Sequence, residues 1–311
     1  MGKLGVAVLI LIGIIMLILF VIFHEIKKPN SRLFRFLVNQ ERKDFNKKQK
    51  KKEKVQSISR RVVLEEYENF NIFYPKMFLG REKIIISLYG GSFITGNKDS
   101  NNVFNSFLSE QGCIVISVQY PLAPENKISD MLQAISNHID EAISQLSKKV
   151  DIVEKIHLIG NGAGALLALY LAAASRSSQI SRLFEVSPSK YKIQSLVLIS
   201  GAFQTIKKDE KKNVFANQIW GFDWKTKYGE FTQTDFLVHH CELPPLYIFT
   251  SSKDSNRGGC ERLYKSCINA GKNARLKKYK NEELCHSFAI EHPELEESQD
   301  LLDRVSMFTC N

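Results

Sequence analysis

Hydrophobic positions follow two different patterns along the chain. Residues 4–23 form one unbroken apolar run, whereas the later sequence alternates short apolar segments with amphipathic ones. Short apolar runs bounded by polar or turn residues are typical of buried strands. Such runs predict strands at Ile84–Leu88, Cys113–Val118, Lys155–Ile159, Ser195–Ile199, Leu246–Thr250 and Arg275–Tyr279. The segment from Val62 to Tyr74 alternates apolar and polar residues before Pro75, which indicates early strands at a sheet edge.

Helices are predicted between these strands. From Ile128 to Leu146, apolar residues recur every three or four positions and give one apolar helical face. Further helices are expected at Ala165–Ala174, between Gly259 and Ala270, and near the C-terminus. This alternation predicts an α/β fold, with a mostly parallel sheet covered by helices on both faces. Residues 204–236 break the alternation and are expected to form a cap or an insertion over the carboxyl edge of the sheet.

The N-terminal apolar run is long enough to cross a bilayer. Leu4 to Phe23 contains 20 residues without a charged side chain, and a helix of that length spans about 30 Å. A secretory signal peptide is the alternative, but its apolar core is shorter, about 7–15 residues, and a small-residue cleavage site follows it. No such site follows Phe23. We therefore expect residues 1–25 to be a transmembrane anchor, with the membrane as a partner through residues 4–23.

Positive charge is concentrated beside this run. Residues 24–61 contain 14 Lys or Arg against 4 Asp or Glu, a surplus of 10 that equals the net charge of the whole chain, +10. The remaining sequence is close to neutral, which argues against a nucleic-acid-binding surface. Since basic flanks stay on the cytoplasmic side, the globular part is expected to face the cytoplasm. The endoplasmic reticulum, mitochondrial and plasma membranes all remain open.

These charges define three predicted regions: an anchor at residues 1–25, a basic juxtamembrane stalk at 26–61, and a folded domain at 62–311. The stalk carries a dense run of lysines: Lys47, Lys48, Lys50, Lys51, Lys52 and Lys54. Such a segment can bind anionic lipid head groups at roughly 1 kcal/mol per charge. A solvated, flexible or helical spacer is the equal alternative. The six cysteines show no C-x-x-C pair and no metal-ligand spacing. No metal and no cofactor is expected.

Three motifs and two single residues occur at positions where chemistry could be placed. Gly160-Asn161-Gly162-Ala163-Gly164 lies between a predicted strand and an apolar helix, and Tyr89-Gly90-Gly91-Ser92 directly follows a strand. Gln119-Tyr120-Pro121-Leu122-Ala123-Pro124-Glu125 follows the next strand. Asp254 and His286 come after two later strands, in that order.

Together, these features resemble the α/β-hydrolase fold, and in particular the hormone-sensitive-lipase-like esterases. The first motif is similar to their G-x-S-x-G nucleophile elbow, the second to their H-G-G-G oxyanion loop, and the third to their Y-R-L-A-P-E segment. The segment from Ile128 to Met131 also resembles prenylcysteine methylesterases. The resemblance covers residues 62–311. It implies a Ser–Asp–His triad at Gly162, Asp254 and His286, and an oxyanion hole at Gly90, Gly91 and Ala163.

Two other classes of glycine-rich loop fit less well. A phosphate-binding P-loop requires a Lys-Ser or Lys-Thr pair, which is absent after Gly164. A dinucleotide fingerprint accepts Ala165 as its last small residue, but it also requires an acidic residue at the end of the following strand. The strand ending near Ser200 carries none there.

Position 162 departs from the esterase pattern because it holds glycine instead of the nucleophilic serine. Glycine adopts the strained conformation of this turn without penalty, so the fold is expected to survive while the nucleophile is lost. Asp254 and His286 then form an acid and base without a hydroxyl to activate, or a purely structural pair. Cys285, Ser92 and a water activated by His286 are less favoured substitutes.

The sequence therefore predicts a membrane-anchored, esterase-like protein that lacks catalysis and acts as a scaffold, a complex subunit or a ligand-binding protein. An active carboxylic-ester hydrolase on lipid or prenylcysteine methyl esters is the alternative, and an engineered Ser→Gly form of one is a further alternative. Nucleic acid is not an expected partner, whereas another protein remains one.

Overall fold

The computed structural model describes residues 12–22, 31–78, 80, 82–150, 154–188, 190–205 and 214–309. The ends of the predicted anchor, residues 1–11 and 23–25, lie outside the described residues. Residues 12–22 are helical (α1) and expose their apolar side chains, from 39% at Ile22 to 65% at Phe20. Within the described residues, no helix is both long and apolar enough to cross a membrane.

Eight strands form one sheet in the order β1-β2-β4-β3-β5-β6-β7-β8. β1 and β2 run antiparallel at one edge, and the pairs from β4 to β8 are parallel. The predicted mostly parallel sheet is therefore confirmed. The strands are β1 Val62–Glu66, β2 Phe70–Pro75, β3 Lys83–Leu88, β4 Cys113–Val118, β5 Lys155–Asn161, β6 Lys192–Ile199, β7 Leu246–Ser251 and β8 Ala274–Tyr279.

Helices cover both faces of this sheet. Those after α1 are α2 Arg32–Val55, α3 Asn102–Glu110, α4 Ile128–Leu146, α5 Ala163–Ala174, α6 Ser178–Leu183, α7 Val214–Trp220, α8 Trp224–Lys227, α9 Thr234–His240, α10 Arg257–Asn269, α11 Phe288–Glu291 and α12 Glu296–Thr309. Because strand side chains alternate between faces, each strand contributes to two cores. In β6, Leu196 and Leu198 pack with α4 and α5, whereas Val197 and Ile199 pack with α3 and α12.

Helix α5 lies at the centre of the first core. All twelve of its residues are buried, and its sequence is apolar on every side. A helix that is hydrophobic all round is stable only where other elements surround it completely. Burial of α5 fixes the start of the helix directly beneath the carboxyl ends of β3 and β5, where the candidate site lies.

Helix α2 is not a free spacer. Ser31 caps its first turn by accepting a hydrogen bond from the Phe34 N–H at 3.1 Å, and Phe34 and Val38 are buried. Arg42 donates to the carbonyl oxygens of Ile94 and Ala123 at 2.8 Å each. The interpretation of the stalk as a solvated spacer is therefore wrong for α2, because one of its faces packs on the folded domain. The boundary between residues 61 and 62 stays a prediction.

Candidate active site

Gly162 occupies the sharp turn between β5 and α5. Its φ of +54° and ψ of −113° lie in a region that residues with a side chain adopt only under strain. Its N–H donates to the Ile199 carbonyl at 2.9 Å, and its own carbonyl accepts from the Ala202 N–H at 3.0 Å. Backbone hydrogen bonds thus hold the strained turn from both sides, and Gly162 itself is buried at the carboxyl end of β5.

The space above Gly162 is open. An ideal Cβ built on this residue would meet only the Gly90 Cα and the His286 Nε2, each at 3.7 Å, which is ordinary van der Waals contact. A serine hydroxyl there would extend one bond further and could reach Nε2 within hydrogen-bond distance. The turn therefore has the shape of a nucleophile elbow without the nucleophile.

His286 and Asp254 form a hydrogen-bonded pair beside this turn. The Nδ1 atom of His286 lies 2.8 Å from the Asp254 Oδ1. A carboxylate only accepts, so Nδ1 carries the proton and Nε2, on the Gly162 side, is left as a base. The Asp254 side chain is fully buried, whereas that of His286 is 41% exposed. The structure thus brings Gly162, His286 and Asp254 together, while their roles stay predictions.

Asp254 is held in its charged form by its neighbours. Burial opposes ionisation of this carboxyl, but hydrogen bonds from His286, the Asn256 N–H, Ser200 and Thr250 outweigh it and lower the pKa of Asp254 below its usual value. The Asn256 N–H and the Thr250 hydroxyl each donate at 2.9 Å. A buried anion with several donors is a rigid partner for the imidazole.

The predicted oxyanion loop follows β3. Gly91 has a φ of +115°, and a Cβ there would collide with the Thr95 carbonyl, so only glycine fits. The Gly91 carbonyl accepts from the Ile94 and Thr95 N–H groups at 3.1 and 2.9 Å, which closes a tight turn. Gly90, Gly91 and Ala163 all line the same cavity as Gly162 and His286. Backbone N–H groups at such a place can stabilise a negatively charged oxygen.

The Gln119–Glu125 segment supports this loop from behind. Tyr89 and Tyr120 stack with ring centroids 4.1 Å apart. The Tyr89 hydroxyl donates to the Tyr120 carbonyl at 2.9 Å, and the Tyr120 hydroxyl donates to the Tyr89 carbonyl at 2.8 Å. Since both residues are buried, burial raises the pKa of each phenol. These reciprocal bonds fix the strand end from which Gly90 and Gly91 project.

A cavity of about 660 Å³ lies over these residues. Its floor contains Gly90, Gly91, Gly162 and His286, and its roof comes from α2. The α2 residues that line it recur on one helical face: Phe45, Lys48, Gln49, Lys51 and Lys52, followed by Gln56 just beyond the helix. The volume is that of a small-molecule site.

The described helical part of residues 204–236 is an insertion between β6 and β7 that forms α7, α8 and the start of α9, and it does not cap the cavity. None of residues 214–240 lines the cavity. Trp220 and Tyr228 are buried instead against Phe184, and Trp220 also packs on Tyr170 of α5. Burial of these aromatic side chains draws the segment onto the helical layer of the first core. The roof is supplied by α2 instead.

The weighed substitute nucleophiles are placed differently. Cys285 is exposed and is not among the residues that line the cavity, whereas Ser92 lines it from the oxyanion loop. Ser287, which the sequence did not single out, also lines the cavity, but its hydroxyl donates to the Asn161 Oδ1 at 2.8 Å. That bond ties the His286 loop to the end of β5.

Several site residues were missed from the sequence. Arg42, Phe45 and Lys52 contact the domain from a segment that its charge had marked as a stalk. Phe34, Val38 and Phe45 are spaced four and seven residues apart within that charged sequence, which is about one and two helical turns. This apolar stripe was the signal that predicts a packed helical face.

Comparisons with known proteins agree with this geometry. A family model described as alpha/beta hydrolase fold matches residues 85–290. A probable isoprenylcysteine alpha-carbonyl methylesterase from Arabidopsis thaliana is 25% identical over 194 residues, 59% of this chain and 41% of that protein. An acetyl esterase from Salmonella schwarzengrund is 32% identical over 103 residues, 32% of this chain and 31% of that protein. The chain thus spans less than half the length of these relatives.

Solved structures show the same fold. Esterase B from Lactobacillus rhamnosis, with a phosphonate inhibitor, has a TM-score of 0.83 at 18% identity, covering 90% of this chain and 96% of that one. An esterase from Pyrobaculum calidifontis has a TM-score of 0.68 at 20% identity, covering 90% and 98%. The resemblance to esterases seen in the motifs is confirmed, and the chain belongs to the alpha/beta-hydrolase family.

Proposed function

We propose that this chain is a catalytically silent member of its family that binds an ester-like ligand reversibly at a membrane surface. The observation that carries the proposal is Gly162, which stands at the elbow without a side chain, 3.7 Å from His286 when a Cβ is added. Loss of the serine from a triad lowers turnover by about 10⁶-fold. What remains, roughly 10³–10⁴ over water, comes from the rest of the site.

Ligand binding is favoured over a purely structural role by the cavity. The floor is not filled by a larger side chain in place of the serine, and its volume of about 660 Å³ suits a small molecule. Backbone N–H groups around Gly162 would donate hydrogen bonds to the carbonyl oxygen of a ligand, and His286 would be a further hydrogen-bond partner beside it. A scaffold or complex subunit needs none of these features.

Membrane attachment is supported by the described part of the N-terminal segment. Residues 12–22 form a helix whose apolar side chains face no protein core, and α2, which follows, is rich in lysine. A lipid environment for residues 4–23 would remove this exposure. In this arrangement the globular part lies on the cytoplasmic side.

A working ester hydrolase is the second candidate. The Arabidopsis relative is a probable methylesterase and the Salmonella relative an acetyl esterase. The hydrogen-bonded His286–Asp254 pair could activate a water in the space above Gly162. This reaction would lack a covalent intermediate. It would therefore be slow, because the serine that divides hydrolysis into two easier steps is absent.

The experiment compares turnover with binding in the full chain. Hydrolysis of p-nitrophenyl acetate by the unaltered protein should equal that of His286→Ala, while ligand-detected NMR should show methyl butyrate bound. Turnover that depends on His286 would overturn the silent assignment. Absence of methyl butyrate binding, with unchanged folding, would overturn the ligand-binding role.

A further inference from the structure

Charge is distributed unevenly around the cavity. Its charged lining residues are Lys48, Lys51, Lys52 and Glu291, so the wall carries a surplus of two positive charges. Lys52 is compensated, since its Nζ lies 3.4 Å from the Glu291 carboxylate and donates to the Ile290 carbonyl at 2.9 Å. Among the described residues, no ion pair is found for Lys48 or Lys51.

These two lysines occupy the rim of the cavity. In α2, Phe34 and Val38 are buried and Arg42 and Phe45 are half-buried, whereas Lys48 and Lys51 are exposed. Residues three apart in a helix lie side by side, so the two ammonium groups extend from neighbouring positions. Two like charges held close together at a partly enclosed site raise the local preference for an anion.

Two apolar side chains also line the cavity. Phe45 enters from α2, and Ile290, only 3% exposed, enters from α11. The cavity lining therefore combines the backbone around Gly162, apolar side chains, and two lysines without an ion pair among the described residues. A ligand that satisfies all three has a carbonyl group, a hydrocarbon portion and an anionic group at its other end.

From this arrangement we infer that Lys48 and Lys51 form an anion-recognising rim, and that the cavity accepts an amphiphilic carbonyl compound with a carboxylate or phosphate remote from the carbonyl. The inference deepens the proposed function and rests on it, because it names the ligand class for the same cavity. The anionic group belongs either to a soluble acyl acid or to the head group of a membrane lipid.

The first test measures binding of a matched pair of probes to the full chain in neutral phosphatidylcholine nanodiscs. Monomethyl adipate carries one ester and one carboxylate, whereas dimethyl adipate carries two esters and no charge. The unaltered protein should bind the charged probe about tenfold more tightly, which corresponds to about 1.4 kcal/mol. The preference should shrink as salt is raised, because the rim is exposed.

A pair of variants then assigns the preference to the rim. Lys48→Gln with Lys51→Gln should abolish it and leave binding of the neutral probe within about twofold. Lys43→Gln with Lys50→Gln removes the same charge from the same helix, but neither residue lines the cavity. This control should keep the preference, and glutamine preserves the helix in both pairs.

The outcomes separate the two proposals. Equal binding of both probes, or equal effects of the two double variants, would overturn the anionic rim and leave reversible ligand binding intact. Failure of both probes to bind would overturn the proposed function, and the rim with it. Vesicles that contain phosphatidylserine distinguish the sources: displacement of monomethyl adipate assigns the anion to a lipid head group, and its retention assigns it to a soluble acid.

Discussion

The floor and the roof of the cavity are built by opposite means. The floor consists of strand ends and backbone groups around Gly162, and its one buried charge, Asp254, is matched by four hydrogen-bond donors. The roof is a single amphipathic helix, α2, whose lysine side chains face solvent and the cavity. Chemistry at the floor is fixed by geometry that tolerates little change. Under the proposed function, selection of the ligand depends on the roof, where charge can vary without disturbing the fold.

The largest expected effect comes from restoring the floor. Gly162→Ser adds a hydroxyl beside the His286 Nε2, at a turn where a Cβ meets only ordinary contacts. Fluorophosphonate labelling should appear, and ester turnover should rise by at least about 10³-fold. The strained conformation is expected to lower stability by about 1–3 kcal/mol.

Gly162→Ala is the matched control for this change. It adds the same Cβ and the same backbone strain without a hydroxyl, so it should remain unlabelled. A folded Gly162→Ser protein that also fails to label would show that the floor differs from an esterase site at more than one residue.

Acid should weaken the sheet that carries the floor more than it weakens the contact that seats the roof. His157 in β5 is buried, and burial together with the nearby Lys83 lowers its pKa to about 4. The unfolded chain, with an ordinary pKa near 6.5, binds this proton first, so stability falls as the pH drops from about 6.5 to 4. The expected loss over that window is about 3 kcal/mol.

Denaturant unfolding at several pH values measures this slope. His157→Gln should flatten this slope, because the buried imidazole whose pKa is lowered is then absent. In the roof, burial of Glu125 is outweighed by Arg42, which keeps the pKa of that carboxyl below its usual value. The Arg42–Glu125 contact should therefore persist through the same window, and its loss above pH 4.5 would contradict this assignment.

A third change loosens the roof alone. Arg42 donates to two backbone carbonyls and to Glu125, and its side chain is 27% exposed. Arg42→Ala should lower the free energy of opening of α2 by about 2 kcal/mol, since four charge-assisted hydrogen bonds are lost. Hydrogen exchange of the α2 amides measures this opening. Lys43→Ala, on the neighbouring exposed position, should leave exchange unchanged, and an equal effect of both would remove the special role of Arg42.

The smallest expected effect concerns the loop that carries His286. Ser287→Ala removes the hydrogen bond to Asn161 and should lower the free energy of unfolding by about 1 kcal/mol. In the Gly162→Ser background it should also slow fluorophosphonate labelling, because the imidazole is held less firmly. Ser252→Ala, which loses a 3.2 Å bond to the Tyr279 carbonyl outside the cavity, is the control for stability and should not slow labelling.

The contrast between floor and roof also explains what the sequence could predict. The strands and most helices carry strict periodic patterns, and the residues of the floor belong to short motifs in a fixed order. Gly162 was informative because the elbow of these esterases requires one backbone conformation and a serine side chain. The glycine in place of that serine can therefore be recognised from the sequence alone. Asp254 and His286 each follow a strand of the predicted parallel sheet. Because the carboxyl ends of parallel strands lie at the same edge, the sequence predicts both residues at that edge.

The roof could not be predicted in the same way. Its lysines suggested a solvated or lipid-bound segment, and this strong charge signal concealed the weaker stripe of Phe34, Val38 and Phe45. The bonds that seat α2 join Arg42 to backbone carbonyls, which every residue has, so the sequence does not identify the partner. The sequence likewise does not indicate which surface buries Trp220.

The missing side chain at Gly162 has a kinetic consequence for whatever occupies the cavity. In an enzyme with a serine at this turn, each encounter can end in acylation, and the ligand leaves chemically changed. Under the proposed function, the ligand here leaves only by dissociation, so the lifetime of the complex depends on the off-rate alone. Occupancy of the cavity then follows the ligand concentration at each moment, because no covalent adduct remains from an earlier binding event.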